Sequence, residues 1–452
     1  MNFPARPTFI IKTLGCKVNQ YESQAMRENL AGSGFVEKMD GQIADFYIIN
    51  SCTVTRRADK DTRSLIHHFH KINPDGKIVV AGCYSELKED RDILRGILGV
   101  THLIRNREKG KIATILGSHV IARPVRKNFS NGARLPSAAG NDEQITDFKD
   151  RNRAFIKVQD GCNHKCSYCK VSLVRGPSKS RSTEDILREA RAVIEKGFKE
   201  IVLTGICLGA WGRDMAKKIN LSNLVKEISQ IDGLFRIRLS SIEPIYVTGD
   251  IINALKGNDK VCKHLHMPLQ SGDNRILRAM KRPYTREKFA QIIGELRKHI
   301  PDIAITTDIL VGFPGEDDKC FNATLKFIED IKPSRMHVFS YSKRDGTPAS
   351  RYRHSLNKKE IKKRVEVLTG LSRDFSADFA RDFIGKIQDT VIESHRDGIT
   401  GFLTGYTDRY IRIFVDGPDS LKNNLVPVKI MRVDKNMVFA CRTGLPACVA
   451  VR

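Results

Sequence analysis

Two separate parts of the chain alternate short apolar runs with helical patterns, and this alternation constrains the fold most. The first part runs from Thr8 to about Gly117, and the second runs from Arg153 to about Tyr341. Strands that alternate with helices build parallel α/β sheets. We therefore predict an α/β protein with more than one domain, because its 452 residues exceed the roughly 250–300 at which one hydrophobic core stops growing.

The first part predicts a small parallel α/β domain over residues 1–117. Its candidate strands are residues 9–13, 46–49 and 77–81, and its candidate helices are residues 20–30 and 59–70.

Cys16, Cys52 and Cys83 each follow one of these three strands. The carboxyl ends of parallel strands form the ligand crevice of an open α/β sheet. We therefore expect the three thiols to converge on one point. The alternative is that they are buried structural thiols, since free cysteine packs as a small hydrophobic residue.

The second part predicts a partial (β/α)6 barrel, whose chemistry lies at the carboxyl ends of its strands. The candidate strands are residues 154–158, 200–203, 236–239, 264–268, 303–307 and 336–339. The candidate helices between them include residues 183–196, 222–231, 286–299 and 319–331.

The remaining segments complete a four-part division of the chain. Residues 118–152 carry Pro, Gly, Ser and Asn with little periodicity, which predicts a linker. Residues 356–383 form a basic helical segment with a solvated face, which closes a core over residues 153–383. Residues 384–452 alternate apolar and polar positions between glycine-containing turns, which favours a small antiparallel β barrel.

The charge of the chain indicates a polyanionic partner. Its 77 Lys and Arg against 52 Asp and Glu leave a net charge of +25. Such an excess neutralises phosphates and favours nucleic acid; a generally basic composition and solubility alone are the alternatives. An anionic membrane surface is less favoured, because the basic residues are spread along the chain. No apolar run approaches the ~18–20 residues of a membrane span, and the N-terminus does not resemble a signal peptide, so we expect a cytoplasmic protein.

The strongest local signal is Cys162, Cys166 and Cys169, spaced C-x3-C-x2-C directly after the first barrel strand. The chain has eleven cysteines, an odd number that favours metal binding or catalysis over disulfides. Three thiolates hold three corners of a [4Fe–4S] cluster and leave the fourth iron open. Structural zinc needs four ligands; His164 is the candidate fourth, but it lies inside the tight loop.

This motif at the end of the first strand of a partial barrel resembles the radical S-adenosylmethionine enzymes. The resemblance implies that the open iron chelates S-adenosylmethionine, which is reductively cleaved to a 5′-deoxyadenosyl radical. In such enzymes the cofactor performs the chemistry, while the protein positions it and excludes water.

A narrower resemblance covers nearly the whole chain. Residues 13–23, 50–54 and 82–84 are similar to the three-cysteine N-terminal domain of the methylthiotransferases, and the C-terminal segment is similar to the RNA-binding TRAM module. Further matches to the family are residues 239–244, 268–272, 308–316 and 337–342. The resemblance implies a second [4Fe–4S] cluster at Cys16, Cys52 and Cys83, which binds or relays the inserted sulfur.

The resemblance also implies a substrate. The string Thr-Leu-Gly-Cys-Lys-Val-Asn-Gln-Tyr-Glu-Ser at residues 13–23 resembles the group that modifies N6-threonylcarbamoyladenosine in tRNA. The implied reaction is methylthiolation of C2 of this nucleoside at position 37, with S-adenosylmethionine as both methyl donor and radical source. The partners are tRNA, an electron donor protein and a sulfur donor. The alternatives are the same reaction on isopentenyl-adenosine, and a non-catalytic zinc-stabilised RNA-binding protein.

Four further residues are candidate contacts to the cofactor or substrate. Tyr168 lies between two cluster cysteines, where an aromatic ring packs either on the adenine of the cofactor or within the loop. Gly205 ends the second barrel strand, where the backbone has to approach the cofactor. Glu243 and Gln270 end the third and fourth strands, and ordinary strand-end hydrogen bonds are their alternative role. Beyond the cluster ligands we assign no catalytic residue.

Some positions depart from the family or stand outside its motifs. Lys170 and Ser172 replace an apolar residue and a Pro, and Cys207 stands where the family often has Asn or His. Cys262, Cys320, Cys441 and Cys448 are interpreted as core or incidental thiols. Arg409, Arg412, Lys429 and Arg432 are candidates for RNA docking, with solubilising charge as the alternative.

Overall fold

The computed structural model describes residues 6–117, 145, 152–353 and 356–443, which form two compact units. The first unit holds the N-terminal sheet together with the short segment Lys170–Gly176. The second unit holds residues 152–169, 177–353 and 356–443 of the described chain. The linker predicted at residues 118–152 lies almost entirely outside the described residues, as does Cys448. No described helix is long and apolar enough to cross a lipid bilayer.

The first unit is built on a five-stranded parallel sheet. Its strands are β1 (Thr8–Thr13), β2 (Val36–Glu37), β3 (Phe46–Ser51), β4 (Lys77–Gly82) and β5 (Val100–Ile104). Their order across the sheet is β2-β1-β3-β4-β5. The helices are α1 (Lys17–Gly32), α2 (Arg56–Ile72), α3 (Lys88–Arg95), α4 (Ile112–Gly117) and α5 (Val171–Arg175). The prediction of a small parallel α/β domain is confirmed, with two strands more than the pattern indicated.

Successive apolar residues along the strands point to opposite faces of this sheet, and helices cover both faces. Phe9 and Ile11 of β1 pack in one core with Met26 and Leu30 of α1. Ile10, between them, packs in the core of the opposite face with Ile66 and Phe69 of α2. Helices on both faces are expected for a parallel sheet, whose strands are buried on each side.

The second unit contains the predicted partial barrel. Its strands are β6 (Ala154–Asp160), β7 (Lys179–Ser180), β8 (Glu200–Gly205), β9 (Arg236–Leu239), β10 (His264–His266), β11 (Ala304–Val311) and β12 (Arg335–Ser340). Strands β6, β8 and β9 pair in parallel, as do β10, β11 and β12. A parallel bridge between Ser241 and His266 joins the two sets, so six parallel strands follow one another. Strand β7 adds one short antiparallel edge.

Seven helices accompany these strands: α6 (Thr183–Glu195), α7 (Leu221–Ser229), α8 (Gly249–Lys256), α9 (Asn274–Ala279), α10 (Arg286–His299), α11 (Asp318–Ile331) and α12 (Lys358–Arg381). Six of them begin at a capping residue whose side-chain oxygen accepts a backbone N–H of the first turn. The caps are Ser182, Asn220, Asp273, Thr285, Asp317 and Asn357.

The two faces of the barrel strands differ in polarity. Residues such as Ile201, Ile237 and Ile305 are fully or almost fully buried on the face that the helices cover. Several of the alternate positions are polar and lie on the inner face of the barrel, although Val202 and Ala304 also occupy such positions. There, Glu200 of β8 accepts hydrogen bonds from the guanidinium groups of Arg236 and Arg238 of β9.

The basic helix α12 only partly has the predicted solvated face. Lys358, Lys359, Lys362 and Lys363 are exposed, as expected. Arg364 instead is buried, and its two Nη atoms lie 2.7 Å from Glu316 Oε1 and 2.6 Å from Asp318 Oδ1. The expectation of a wholly solvated face is therefore wrong at Arg364, because α12 packs beside the chain that follows β11.

The C-terminal segment forms a closed five-stranded barrel. Its strands are β13 (Ile387–Arg396), β14 (Leu403–Thr407), β15 (Arg412–Val415), β16 (Leu425–Asp434) and β17 (Met437–Arg442), in the order β13-β14-β15-β17-β16. Four pairings are antiparallel and the β15–β17 pairing is parallel. Backbone carbonyls of Tyr406, Thr407 and Asp408 accept hydrogen bonds from Arg236 and Arg238. The barrel strands and the C-terminal barrel thus share one polar network.

Candidate metal centres

The first candidate centre lies at the carboxyl edge of the N-terminal sheet. Cys16 is the residue before α1, Cys52 follows β3, and Cys83 begins a short 3-10 helix after β4. Strands β1, β3 and β4 are neighbours in the sheet. The structure therefore brings the three predicted thiols to adjacent strand ends, where electrostatic interactions link each of them with the other two.

Gly15 shows how closely the backbone approaches these thiols. A Cβ atom at Gly15 would lie 2.6 Å from the Cβ atom and 2.7 Å from the Sγ atom of Cys52. Its φ of +93° is also in the left-handed region that glycine favours. Glycine at this position therefore lets the Cys16 loop pass directly over Cys52.

Arg175 of α5 supplies a positive charge to this centre, which sequence analysis did not identify. Its Nε atom lies 3.3 Å from Cys83 Sγ. Its Nη2 atom lies 2.5 Å from Asn19 Oδ1 and 3.0 Å from Glu22 Oε2. The Arg175 side chain is only 1% exposed, and Lys109 also pairs with Glu22, at 2.5 Å. A buried cation is thereby fixed beside the thiols.

The donors at this centre fit an iron–sulfur cluster. Burial raises the pKa of the Cys52 thiol to about 12, so in the metal-free protein this thiol is protonated at neutral pH. Iron binding requires the thiolate, which the guanidinium of Arg175 stabilises electrostatically. Three sulfur donors with an adjacent cation match the soft, anionic cluster better than they match a hard divalent cation.

The second candidate centre is the loop that follows β6. Gln159 anchors the start of this loop, because its Nε2 atom donates to the carbonyls of Asp160 and Gly161. The middle of the loop is anchored by Ser167, whose N–H donates to the carbonyl of Met280 at 3.0 Å. The N–H of Cys169 donates to the Cys166 carbonyl at 3.1 Å, which closes a tight turn. The three thiols of the motif are thus carried by one short, well-anchored loop.

Arg282 is the central polar contact of this second centre and was also missed by sequence analysis. Its Nη1 atom donates to Cys166 Sγ at 3.1 Å, and its Nη2 atom pairs with the carboxylate of Glu243. Its Nε atom donates to the hydroxyl of Tyr284 at 2.9 Å. Burial raises the pKa of Cys166, and the charge and hydrogen bond of Arg282 partly offset this and favour the thiolate form needed for iron.

Cys207 lies beside the same loop. Its thiol, the Cys162 thiol and a ring nitrogen of His164 all lie within 4.8 Å of one another. A hydrogen bond from the Cys207 thiol, helped by the backbone N–H of His164, lowers the pKa of Cys162. The sequence departure at Cys207 therefore places a fourth thiol next to the motif.

Of the four predicted cofactor contacts, Tyr168 lies in this loop, and Glu243 and Gly205 contact residues that bind it, while Gln270 lies beside strand β11. Tyr168 is half-buried, and its hydroxyl lies 3.5 Å from Arg282 Nη1. Glu243 pairs with Arg282. Gly205 closely approaches the chain's own Gln159, since a Cβ there would lie 2.9 Å from Gln159 Oε1. Gln270 has a φ of +72°, and its backbone N–H and carbonyl bind strand β11. Strained backbone at such a position is typical of functional sites.

The departure at Lys170 has a structural partner. Its Nζ atom lies 2.6 Å from Asp90 Oδ2, and the Lys170 side chain is 4% exposed. A buried ion pair thus replaces the apolar contact that the family motif leads one to expect. Ser172 lies in α5 and is half-buried, and no contact in the structure explains its substitution.

The remaining cysteines carry no ligand cluster within the described part of the chain. Cys262 is buried, Cys320 accepts a hydrogen bond from Arg275 Nη2 at 2.7 Å, and Cys441 is half-buried.

The basic residues of the C-terminal barrel divide into two kinds. Arg409 pairs with Asp302 and Asp408, so its charge is used within the protein. Arg412 is exposed but lies 3.2 Å from Asp397. Lys429 and Arg432 are exposed on β16, and the Arg432 guanidinium lies over the ring of Phe439.

Two family models match the chain. The model described as the radical SAM superfamily matches residues 156–328, and the model described as uncharacterized protein family UPF0004 matches residues 8–103. They cover the second and the first candidate centre, respectively.

Curated relatives match over almost the full length. A threonylcarbamoyladenosine tRNA methylthiotransferase MtaB of Bacillus subtilis is 36% identical and covers 94% of both chains. The protein of the same name from Thermotoga maritima is also 36% identical, over 97% of this chain and 98% of the relative. A tRNA-2-methylthio-N6-dimethylallyladenosine synthase of Natranaerobius thermophilus is 31% identical, over 94% of both chains.

Solved structures share the fold at low sequence identity. The radical S-adenosylmethionine methyltransferase TsrM of Kitasatospora setae, with cobalamin and a [4Fe–4S] cluster bound, is 12% identical with a TM-score of 0.54. That match covers 76% of this chain and 77% of the solved one. Because these relatives exceed 30% identity over nearly the whole length of both chains, the chain belongs to the radical S-adenosylmethionine methylthiotransferase family.

Proposed function

We propose that this enzyme methylthiolates C2 of N6-threonylcarbamoyladenosine at position 37 of tRNA. S-adenosylmethionine serves both as methyl donor and as radical source. Two [4Fe–4S] clusters are the resident cofactors, one held by Cys162, Cys166 and Cys169 and the other by Cys16, Cys52 and Cys83.

One observation carries this two-cluster assignment: each thiol triad has its own buried arginine in contact with one of its sulfur atoms. Arg175 contacts Cys83, and Arg282 contacts Cys166. The pair of sites supports separate roles for the two triads. When bound, the clusters supply the electron for cleaving S-adenosylmethionine and the site at which sulfur is handled.

The residues around the second triad have structural roles that do not depend on a bound cluster or cofactor. Arg282 neutralises Glu243 and contacts Cys166, while the ring of Tyr168 packs edge-on against Phe313. We assign Tyr168, Gly205, Glu243 and Gln270 to the cofactor pocket. The role of Gly205 is indirect, because the absence of a side chain there leaves room for Gln159. Gln159 in turn links the loop to Cys207. Its Nε2 atom donates to the carbonyls of Asp160 and Gly161, and its Oε1 atom accepts a hydrogen bond from the Cys207 N–H at 2.7 Å.

The threonylcarbamoyl substrate is favoured over dimethylallyl-adenosine by the relatives. Those named for threonylcarbamoyladenosine reach 36% identity, and those named for dimethylallyladenosine reach 31% over similar lengths. The net charge of +25 supports an RNA substrate of either kind.

The C-terminal barrel is proposed as the part that docks tRNA. Lys429 and Arg432 are the best candidates, since both are exposed and Arg432 lies beside an aromatic ring. Arg409 is a poorer candidate because two aspartates already bind it. We retain the division into residues 1–117, 118–152, 153–383 and 384–452 as functional parts.

The reaction also requires partners from outside the chain. An electron donor protein has to reduce the clusters, and a sulfur donor has to replace the sulfur that each turnover consumes. We place the enzyme in the cytoplasm, together with its tRNA substrate.

A triple variant tests the assignment of the two triads. Cys16→Ala, Cys52→Ala and Cys83→Ala together should leave about half the iron, from equal [4Fe–4S] content at each site. After anaerobic reduction the variant should still form 5′-deoxyadenosine, yet it should not methylthiolate tRNA. Cys441→Ala is the matched control and should keep full iron and activity. Full thiolation by the triple variant would overturn the role of the N-terminal triad.

The substrate is tested by mass spectrometry of tRNA nucleosides. A strain that lacks the gene should accumulate N6-threonylcarbamoyladenosine without its methylthio group, while methylthiolated isopentenyl-adenosine should be unchanged. The opposite pattern would assign the enzyme to isopentenyl-adenosine instead.

A further inference from the structure

A cluster of polar side chains on the inner face of the barrel is used by neither thiol triad. It consists of His266 on β10, Asp308 on β11 and His337 on β12, three neighbouring strands. The parallel register pairs Asp308 directly with His337 and pairs His266 with Thr306. Residues that are distant in sequence are therefore side by side on one sheet face.

Asp308 holds both histidine rings. Its Oδ2 atom lies 3.2 Å from Nε2 of His266, and its Oδ1 atom lies 3.3 Å from Nδ1 of His337. The two rings are stacked, with centroids 5.4 Å apart. Burial by itself would raise the pKa of Asp308, but the hydrogen bonds from His266 and His337 outweigh it and hold the pKa well below its usual range. Asp308 is thus a carboxylate that orients the imidazoles.

The two histidines differ in how many of their ring nitrogens form hydrogen bonds. Both ring nitrogens of His266 are engaged, since its Nδ1 atom lies 2.9 Å from the hydroxyl of Thr306. His337 uses only Nδ1, and its Nε2 atom has no hydrogen-bond partner within residues 6–117, 145, 152–353 and 356–443. The His337 side chain as a whole is 41% exposed.

An exposed aromatic ring stands next to His337. Phe339 follows two residues later on β12, which puts it on the same face, and its ring lies edge-on 6.5 Å from that of His337. Its exposed fraction is 49%, high for a residue on the inner face of a barrel. Exposed aromatic rings of this kind stack on unpaired nucleobases. Phe339 is also nearer the carboxyl end of β12, the end at which barrel chemistry takes place.

We propose that His337 is a specificity-determining residue that hydrogen-bonds, through Nε2, the polar N6 substituent of the target adenosine while the base stacks on Phe339. This inference rests on the proposed function. The threonylcarbamoyl group offers a carboxylate, a hydroxyl and N–H groups, so either protonation state of His337 finds a partner. The hydrocarbon substituent of isopentenyl-adenosine offers none.

The expected discrimination follows from the cost of an unpaired polar group. A site built to hydrogen-bond a substrate group rejects an analogue that lacks the group, because the bound analogue covers the polar atom of the site and leaves it without a partner. For one hydrogen bond with a charged member, the expected effect on affinity is roughly 10–100-fold. Asp308 and His266 act as positioning residues, since they hold the His337 ring.

The test uses the reconstituted holoenzyme under anaerobic conditions and three anticodon stem-loop RNAs. These carry N6-threonylcarbamoyladenosine, isopentenyl-adenosine or unmodified adenosine at position 37. Dissociation constants are measured by fluorescence anisotropy for the wild type, His337→Phe and His337→Gln. Iron content and 5′-deoxyadenosine formation without RNA show whether each variant is folded and loaded. His299→Phe on the outer helix α10 is the matched control.

His337→Phe should lose the preference for the threonylcarbamoyl RNA by about tenfold or more, with unchanged affinity for unmodified RNA. His337→Gln, which keeps a polar group near the Nε2 position, should recover part of the preference. A preference that is unchanged in His337→Phe would overturn the inference. If instead the wild type neither prefers nor methylthiolates the threonylcarbamoyl RNA, the proposed function itself fails, so the two failures are distinguishable.

Phe339→Leu separates stacking from substituent recognition. This variant should weaken binding of all three RNAs by a similar factor, because every base offers a face for stacking. Loss confined to the threonylcarbamoyl RNA in Phe339→Leu would contradict the assigned division of roles.

Discussion

The Nε atom of Arg175 lies 3.3 Å from the Sγ atom of Cys83, although the two residues are 92 positions apart in the sequence. Arg175 belongs to the segment that directly follows the radical S-adenosylmethionine motif, yet it packs within the N-terminal unit. The N-terminal thiol triad is therefore not completed by residues 6–117 alone. Burial raises the pKa values of Cys16 and Cys52, and the guanidinium of Arg175 partly offsets this and so favours the thiolate forms that bind iron.

We expect Arg175→Met to destabilise the N-terminal centre. The substitution breaks the ion pair of Glu22 with Arg175, although Glu22 still pairs with Lys109. It also removes the positive charge beside Cys83. Breaking a buried pair in this way costs about 3–5 kcal/mol. Urea unfolding and iron content measure both effects, and iron should fall toward half. Arg188→Met, at an exposed arginine of α6, should change neither quantity, and an Arg175→Met protein with full iron would contradict the role.

The thiol of Cys207 should control the reactivity of Cys162 in the cluster-free protein. Because the hydrogen bond from Cys207 lowers the pKa of Cys162, Cys207→Ala should raise that pKa. The thiolate is the reactive form, so the pH midpoint of Cys162 alkylation should move to higher pH. Mass spectrometry of the peptide that contains Cys162 follows the reaction. Cys262→Ala should leave the midpoint in place; a shift to lower pH in Cys207→Ala would disprove the assignment.

The polar network at Glu200 should make folding acid-sensitive. Burial alone would raise the pKa of Glu200, but Arg238 and Arg236 outweigh it and hold the pKa well below its usual range. A depressed folded pKa contributes stability above the unfolded value of about 4.3, and that stability is lost as the pH falls below it. Glu200→Gln should therefore cost about 3–5 kcal/mol at pH 7. The gap to wild type should narrow in denaturant titrations below about pH 4.

Exposed basic residues of the C-terminal barrel should set the salt dependence of tRNA binding. Lys429→Glu with Arg432→Glu should weaken binding and lower the slope of log affinity against log salt by about one per lost phosphate contact. The control is the double variant Arg188→Glu with Lys226→Glu, which changes the net charge by the same amount. It should bind tRNA more tightly than the Lys429→Glu, Arg432→Glu variant. Equal tRNA affinities for the two double variants would show that Lys429 and Arg432 do not dock tRNA.

These point substitutions are a better test than deletion of residues 384–452. The deletion would also remove the carbonyls of Tyr406, Thr407 and Asp408, which accept hydrogen bonds from the buried Arg236 and Arg238. Buried guanidinium groups that lose their acceptors destabilise the barrel, so a loss of binding would not be specific.

The sequence by itself determined the order of elements, the two thiol triads and the family. These features are local: alternation marks buried strands, and the cysteines are found by their place at the end of each strand or by their short spacing. The helix starts at Ser182, Thr285 and Asp317 are equally local, because a cap acts within one turn.

Only the tertiary structure decided which charged residues surround the triads and which side chains face the barrel interior. Arg175 stands in the Arg-Gly pair that the family motif has after Cys169, but its partners, like those of Arg282, are brought to it by packing of distant segments. Arg364 lies in a run of basic residues that looks solvated, yet it is buried against two carboxylates. The alignment of Asp308 with His337 depends on the register between two strands, which no periodicity within either strand specifies.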